Sequence, residues 1–273
     1  MRNKEQVRCA ASIVHEMLCI QSNCFVGGKL QRCHYIVCVD DDPTSAIYAA
    51  RLAKVHEQLY GFVPLILCVG GKGLMSRWTH KVSEGEHLAY VCHKLGYEAF
   101  TVILDHGTNT GANVLEVADY IGKNMPVIPP SVIFVATKRL SLRLALTVTK
   151  QAPKLDAYFY VIDEDIKQAC KWYNGKKLGN NQMMYHELAS ILNRCEAYAG
   201  IYQDPIPFEI AETTRSAANL LASKYRLKLP HKNLRSMFQF LYLLIEIQRH
   251  KKAMAEDLEA AIQHELQQKE VII

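Results

Sequence analysis

Five short apolar runs lie between residues 35 and 162, and a stretch with helical spacing separates each run from the next. They cover residues 35–39, 63–69, 100–104, 131–136 and 157–162. Each run is apolar almost throughout, which is typical of a strand buried on both faces of a sheet. Strands of this kind in alternation with helices indicate a parallel sheet that is covered by helices on both sides.

The stretches between the runs predict four helices. They extend from about Thr44 to Tyr60, Ser83 to Leu95, Thr110 to Gly122 and Leu140 to Lys150. Each strand–helix–strand unit is expected to have a right-handed crossover. We therefore expect an α/β fold with a Rossmann-like, doubly wound, mainly parallel five-stranded sheet. A closed barrel of eight strands would need more repeats than the sequence contains.

The strand pattern ends near Asp163, and the rest of the chain has only helical spacing. Proline-containing breaks interrupt this spacing at 203–209 and 228–232. Residues 3–20 form a further amphipathic pattern, which predicts a helix that packs with the helical region. The resulting organisation is an N-terminal helix in residues 1–34, an α/β domain over residues 35–163 and an added helical subdomain over residues 164–273.

Composition and charge narrow the classes of function. The 273 residues carry a net charge of +5 without a dense run of lysine or arginine, so we expect no binding to nucleic acid. The most apolar run, 237–247, is too short to span a bilayer and contains Glu246. Nine cysteines occur without a CxxC pair, and Cys38 and Cys68 fall inside strand-like runs, which indicates reduced thiols in a cytoplasmic protein. The cysteines between residues 19 and 38 fit a zinc site only loosely, and we predict no metal.

Asp40 and a pair of glycines follow the first two predicted strands, where ligands bind in an open α/β sheet. Asp40 could accept a hydrogen bond from a ligand hydroxyl or amino group, or it could belong to the turn that starts the next helix. Backbone N–H groups of Gly70 and Gly71 could approach an anion closely. The structural alternative is that these glycines serve only the geometry of the turn.

Glu84 lies at the start of the helix after the glycine loop. Ser83 and Glu86 fit a capping box, which explains both residues. The capping box gives no reason for a glutamate at position 84. Its negative charge also interacts favourably with the helix dipole, which is the structural alternative to a role in binding. If the protein is an enzyme, Glu84 or Asp105 would act as the general base on water or on a hydroxyl group.

The junction after the third strand contains more hydrogen-bonding side chains than a helix start requires. One of Thr108, Asn109 or Thr110 is enough to cap the helix. Gly111 costs on the order of 1 kcal/mol in a first turn relative to alanine, and Asn113 gains little from helix propensity. A ligand that contacts the backbone at Gly111 explains the whole set. We therefore predict that Asn109, Thr110 and Asn113 bind the ligand.

The junction after the fourth strand is basic. Lys138 and Arg143 could neutralise a phosphate or carboxylate group of the ligand. The alternative is that both are ordinary charges on a helix surface.

Taken together, these junctions resemble those of the YdcF-like family, proteins with a domain of unknown function that also include SanA-like and ElyC-like members. The resemblance covers about residues 35–162, and Arg51 falls near a family arginine. Thr-Asn-Thr-Gly-x-Asn is its most specific run. The matching segments are "VGG" at 69–71, "SEG" at 83–85, "DHGTNTGAN" at 105–113 and "TKRLSLR" at 137–143.

The resemblance implies a Rossmann-like sheet with a pocket, and helices added by both chain ends as in the soluble YdcF-type branch. It also suggests a nucleoside ligand such as S-adenosylmethionine. The chain departs from the family pattern at four places. Ala112 replaces a glutamate before the final asparagine, and Asp105 replaces the glutamate that opens the motif. Leu140 and Ser141 occupy the region of a histidine common in other branches, and Asp40 ends the first strand in place of a small-residue loop. If the missing acid is the general base, this chain binds its ligand without transforming it.

Two hypotheses of function follow. In the first, the protein binds a small anionic or nucleoside-type ligand, with S-adenosylmethionine or a nucleotide as candidates, and as a hydrolase or transferase also transforms it. In the second, it is a non-catalytic protein that binds a protein partner, or a second copy of itself, through its C-terminal helices. The polar junctions favour the first. Its ligand-binding residues are Asp40, Gly70, Gly71, Glu84, Asn109, Thr110, Asn113, Lys138 and Arg143.

Overall fold

A central parallel sheet with helices on both faces organises the chain. The computed structural model describes residues 2–39, 42–72, 82–125, 130–164, 182–225, 255 and 258–267. A small antiparallel hairpin of β1 (Phe25–Val26) and β2 (Lys29–Leu30) precedes the sheet. The strands of the sheet are β3 (Tyr35–Cys38), β4 (Leu65–Val69), β5 (Thr101–Leu104), β6 (Ser131–Thr137) and β7 (Asp156–Ile162).

The strand order of the sheet is β5-β4-β3-β6-β7, and every neighbouring pair is parallel. The chain runs outward from β3 to β5 and then returns to place β6 on the other side of β3. This reversal is the switch point of a doubly wound sheet, and the loops at the carboxyl ends of its strands form the usual ligand crevice.

Helices connect the strands and form additional layers. They are α1 (Arg2–Met17), α2 (Thr44–Tyr60), α3 (Glu84–Lys94), α4 (Thr110–Asn124), α5 (Lys138–Gln151), α6 (Gln182–Ala197) and α7 (Glu212–Tyr225), followed by helical residues at 258–267. A short 3-10 helix at Glu98–Phe100 leads into β5.

Alternating side chains of the strands supply two separate cores. Ile36 and Cys38 of β3 lie on one face of the sheet, where α2, α3 and the helical residues 258–267 cover them. Tyr35 and Val37 lie on the other face, where α4 and α5 cover them. The sheet therefore forms the middle layer between two layers of helices, and the strand-to-helix loops lie at its carboxyl edge.

A third core lies on the outer side of α5. Leu142 and Leu146 of this helix pack with buried residues of α1, α6 and α7, including Val14 and Leu188. The helical residues 258–267 pack elsewhere, on the face of the sheet that α2 covers. The N-terminal helix thus contacts α6 and α7, whereas the last described helical residues do not belong to that layer.

The predicted α/β class and the Rossmann-like doubly wound sheet are confirmed. The five predicted strands and the four helices between them agree with the structure to within two residues. The hairpin and the 3-10 helix were not predicted, because each has only two or three residues in a regular conformation. The domain boundaries stay a prediction, and most of the expected final helix lies outside the described residues. No helix in the described ranges is both long and apolar enough to cross a membrane.

Candidate functional site

Two neighbouring loops at the carboxyl edge of the sheet are joined by backbone hydrogen bonds. The N–H group of Gly70, after β4, donates to the carbonyl oxygen of Leu104 at 2.8 Å. The N–H group of Gly71 donates to the carbonyl oxygen of Gly107 at 2.5 Å, and that of Gly85 donates to Gly70 at 2.7 Å. These backbone hydrogen bonds therefore connect the loops after β4 and β5 and the start of α3 into one unit.

The glycines in this unit are required by close approach of backbone to backbone. Gly70 has a φ of +137°, a conformation that residues with a side chain rarely adopt. A Cβ atom on Gly71 would lie 2.7 Å from the carbonyl oxygen of Gly107 and closer still to that of Asp105. On Gly85 it would lie 2.7 Å from the carbonyl oxygen of Cys68. The N–H groups of Gly70 and Gly71 are thus occupied by the protein itself, which supports the structural alternative for this pair.

Glu84 lies directly over Gly70. The capping box of α3 is complete without it, because Ser83 accepts from the N–H of Glu86 at 3.1 Å and Glu86 accepts from the N–H of Ser83 at 2.6 Å. The Oε2 atom of Glu84 would be 2.9 Å from a Cβ atom on Gly70, and the Asn113 side chain would be 3.7 Å from it. A half-buried carboxylate therefore faces the joined loops at the carboxyl edge of the sheet, the edge at which open α/β folds in general bind ligands.

The two asparagines of the polar run have backbone roles. Asn109 caps α4, since its side chain accepts from the N–H of Ala112 at 3.1 Å. Asn113 is only 5% exposed. In the amide orientation that satisfies its surroundings, it donates to the carbonyl oxygens of Gly107 at 3.1 Å and Asn109 at 3.2 Å. Asn113 thus fixes the loop before α4, and Gly107 is glycine because a Cβ atom there would lie 2.8 Å from the Asn113 nitrogen.

Glu116 holds the same loop from the next turn of α4, a role that the sequence analysis missed. Its carboxylate accepts from the N–H groups of Gly107 at 2.8 Å and His106 at 3.2 Å. The His106 ring lies 2.9 Å from it, and this hydrogen bond raises the pKa of His106. Asn109, Asn113 and Glu116 have the spacing that places side chains on one side of a helix. This spacing is the sequence signal from which a shared role in holding the loop could have been predicted.

Asp105 and Thr110 lie at the two ends of this loop. The side chain of Asp105 is 40% exposed, and its Oδ1 atom is 3.7 Å from Nδ1 of His106. Thr110 is the first residue of α4 and is half-buried. The carboxylates of Glu84 and Asp105 belong to the joined loops, so either can accept hydrogen bonds from a hydroxyl or amino group at this edge.

The two predicted cations lie apart from the joined loops. Lys138 begins α5 at the end of β6, and its ammonium group is 3.2 Å from both Glu16 and Asp163. Burial opposes its charge, but hydrogen bonds to these carboxylates raise the pKa of Lys138. Arg143 is 8% exposed, and burial, followed by the charge of Arg194 on α6, lowers its pKa. The structure thus brings together Gly70, Gly71, Glu84, Asp105, Asn109, Thr110 and Asn113, while Asp40 lies outside the described residues.

A second polar cluster, also missed by the sequence analysis, lies beneath α1 at the ends of β6 and β7. His15 is fully buried, and its Nε2 atom is 4.0 Å from Oε1 of Glu164, which is 6% exposed. Neither ring nitrogen of His15 has a hydrogen-bond partner among the described residues. The two residues come from positions far apart in the sequence, so no local pattern could indicate their contact.

No metal-binding group emerges from the described ranges, where three or more histidine, cysteine or acidic side chains nowhere converge suitably. Cys38 and Cys68 lie in the core, as their strand positions predicted. The Sγ atoms of Cys68 and Cys92 are 3.8 Å apart, and the neighbouring thiols of Cys38 and Cys92, together with burial, raise the pKa of Cys68. These thiols therefore serve packing.

The chain was compared with protein-family models, curated proteins and solved structures. No protein-family model, curated protein or solved structure matches the chain.

Proposed function

We propose that the protein binds a small nucleoside-type ligand at the carboxyl edge of β4 and β5, in the manner that the resemblance to the YdcF-like family implies. The observation that carries this proposal is the position of Glu84. The capping box of α3 does not use its carboxylate, which instead lies over Gly70 beside Asn113. A half-buried carboxylate at this edge suits the ribose hydroxyl or amino groups of a nucleoside.

Of the two ligand classes suggested by the sequence, the contacts favour the nucleoside type over a simple anion. The N–H groups of Gly70 and Gly71 already donate to Leu104 and Gly107. The ammonium group of Lys138 is already paired with two carboxylates. S-adenosylmethionine, which carries a positive charge together with ribose hydroxyls, is therefore a better candidate than a sugar phosphate.

A thermal-shift screen of the full chain tests the proposal. The compounds are S-adenosylmethionine, nucleosides, nucleotides and sugar phosphates. A ligand at about one hundred times its dissociation constant stabilises by about 2.7 kcal/mol, which raises the melting temperature by about 5–10 °C in a chain of this size. No shift with any compound would contradict the proposal and favour the interaction protein.

A matched pair of variants locates the site. Glu84→Gln removes a carboxylate from the first turn of α3, and Glu212→Gln removes one from the first turn of α7. Both lose a similar interaction with a helix dipole. Binding should weaken by about tenfold or more in Glu84→Gln alone, since a hydrogen bond to a charged group contributes about 1.5–3 kcal/mol. Equal binding by both variants would place the ligand elsewhere.

Glu84 and Asp105 are also the candidates for a general base if the ligand is transformed. We expect Asp105→Asn to retain binding, because its side chain is at the exposed side of the loop. Product formation from the bound ligand, lost in Asp105→Asn or Glu84→Gln, would establish a hydrolase or transferase. Binding without product formation would agree with the replacement of the family glutamate by Ala112, since the chain would then lack the general base.

A further inference from the structure

The helical layer contains a buried charge without a partner. Arg143 of α5 is 8% exposed, and its Nε atom has no hydrogen-bond partner among the described residues. It takes part in none of the ion pairs that join those residues. A guanidinium group keeps its proton in a protein, so the charge persists although burial opposes it. Burying an unpaired charge is costly, and an anion beside Arg143 would remove this cost.

A second arginine lies nearby on α6, which packs against α5 in the third core. The Nη1 atom of Arg194 is 3.9 Å from Oε1 of Glu187, and its Nη2 atom donates to the Ser190 hydroxyl at 2.6 Å. After burial, the charge of Arg194 is the strongest cause that lowers the pKa of Arg143, and Glu187 opposes it less strongly. The two guanidinium groups are therefore close enough to repel each other.

The described side chains around this pair of arginines do not balance its charge. Glu187 is the acidic group that acts on the pair, and it already lies beside one of the two arginines. The neighbouring thiol of Cys195 stays protonated at neutral pH, because burial raises its pKa to about 11. Glu196, the next acid along α6, pairs with Arg215 at 2.6 Å. Two positive groups thus share one carboxylate, and a net positive charge is left between α5 and α6.

We propose that Arg143 and Arg194 bind a small oxoanion, a phosphate or carboxylate group, between α5 and α6. Guanidinium groups present their N–H donors in a planar fork that matches the oxygen atoms of these anions. The Nε atom of Arg143 supplies a donor that no described residue uses. The side chain of Arg194 is 37% exposed, so the anion can enter from its side. The prediction that Arg143 neutralises an anion then applies to the helical layer, not to the carboxyl edge of β4 and β5.

Thermal unfolding of the full chain in titrations with sodium phosphate and with sodium acetate tests the proposal. Sodium chloride keeps the ionic strength constant, so the general screening of charges stays the same. We expect a saturable rise in the melting temperature, by about 5–10 °C at about one hundred times the dissociation constant. A rise with phosphate alone identifies a phosphate group as the ligand, and a rise with acetate alone identifies a carboxylate. No saturable rise with either anion would overturn the proposal.

Removal of the buried charge provides the second measurement. Arg143→Met keeps an apolar side chain at this position and should abolish the response to the anion. In chloride alone its melting temperature should equal or exceed that of the unchanged chain, because the unpaired charge is gone. Phosphate also stabilises proteins by its exclusion from their surfaces, but that effect does not need Arg143. A full response in Arg143→Met would therefore overturn the proposal.

A matched pair of arginine variants provides the test if Arg143→Met does not fold. Arg194→Gln and Arg215→Gln each remove a partly exposed arginine that lies beside a glutamate of α6. Anion binding should weaken by about tenfold or more in Arg194→Gln alone, since a hydrogen bond between charged groups is lost. Equal binding by both variants would overturn the proposal. Glu84→Gln should respond to the anion as the unchanged chain does, so failure of this site is distinguishable from failure of the ligand site.

Discussion

At the carboxyl edge, the close approach of two backbones determines which positions must be glycine. Substitutions at Gly71 in this edge and at Gly122 within α4 measure the effect. Gly71→Ala inserts a Cβ atom 2.7 Å from the carbonyl oxygen of Gly107, which the joined loops cannot admit without moving. Gly122→Ala, in α4, meets nothing within 4 Å. We expect Gly71→Ala to lower the free energy of unfolding by about 1–3 kcal/mol and Gly122→Ala to raise it by about 0.5–1 kcal/mol. Urea unfolding measures both, and equal effects would contradict the close approach.

His106 gives the loop before α4 a pH dependence of known sign. The hydrogen bond to Glu116 raises the pKa of His106 above its unfolded value, near 6.5. Its contribution to stability is therefore complete below about pH 6.5 and is lost as the pH rises through the folded pKa. We expect His106→Asn to reduce the melting temperature more at about pH 5.5 than at about pH 8.5, and salt to weaken the difference. An equal reduction at both values would contradict this prediction.

The polar run after β5 also shows how far residue roles can be predicted. The sequence correctly suggested that one of three residues caps the helix, because capping depends on local spacing, and Asn109 is that residue. The role of Asn113 depends on the carbonyl oxygens of a folded loop, which no local pattern reveals. The pairing of Lys138 with Glu16 likewise joins positions 122 residues apart. Contacts of that kind require the fold.

Among the elements, the helical residues 258–267 are held to α2 by two kinds of contact. Glu265 accepts hydrogen bonds from Arg51 at 2.9 and 2.5 Å, while Ile262 is fully buried in the core beside α2. The ion pair is partly exposed, so Glu265→Gln should cost about 1 kcal/mol or less. Ile262→Ala should cost about 2–5 kcal/mol. Chemical unfolding compares them, and a larger cost for Glu265→Gln would show that charge holds this helix.

The strands and connecting helices were predicted well because their signals are local and mutually consistent. A strand buried on both faces must be apolar along its length, and Ile36, Val37 and Cys38 meet that condition with full burial. The packing of the last helical residues could not be read in the same way. Their apolar side fits any exposed core equally well, and only the folded chain shows that Leu258 and Ile262 meet α2.

For the molecule as a whole, Asn23 protects one edge of the sheet. Asn23→Ala removes the acceptor for the N–H of Phe159, which should cost about 0.5–1.5 kcal/mol. It also opens the β7 edge to pairing with other chains, so aggregation on heating should begin earlier. Asn124→Ala, which removes a hydrogen bond at the end of α4, is the control. Light scattering during heating measures the onset, and identical onsets would contradict a protective role.

The closure of β7 by Asn23 also constrains the order in which the chain acquires its structure. The hydrogen bond between Asn23 and Phe159 joins residues 136 positions apart. A ribosome adds roughly 5–20 residues per second, so roughly 7–27 s pass between the synthesis of the two partners. For most of this time, until Lys138–Gln151 has been synthesised, the apolar side of α1, including Val14 and Leu18, has no α5 to pack against. The first described helix to be synthesised is therefore among the last to reach its place, and the nascent chain carries an exposed apolar surface until the sheet is complete.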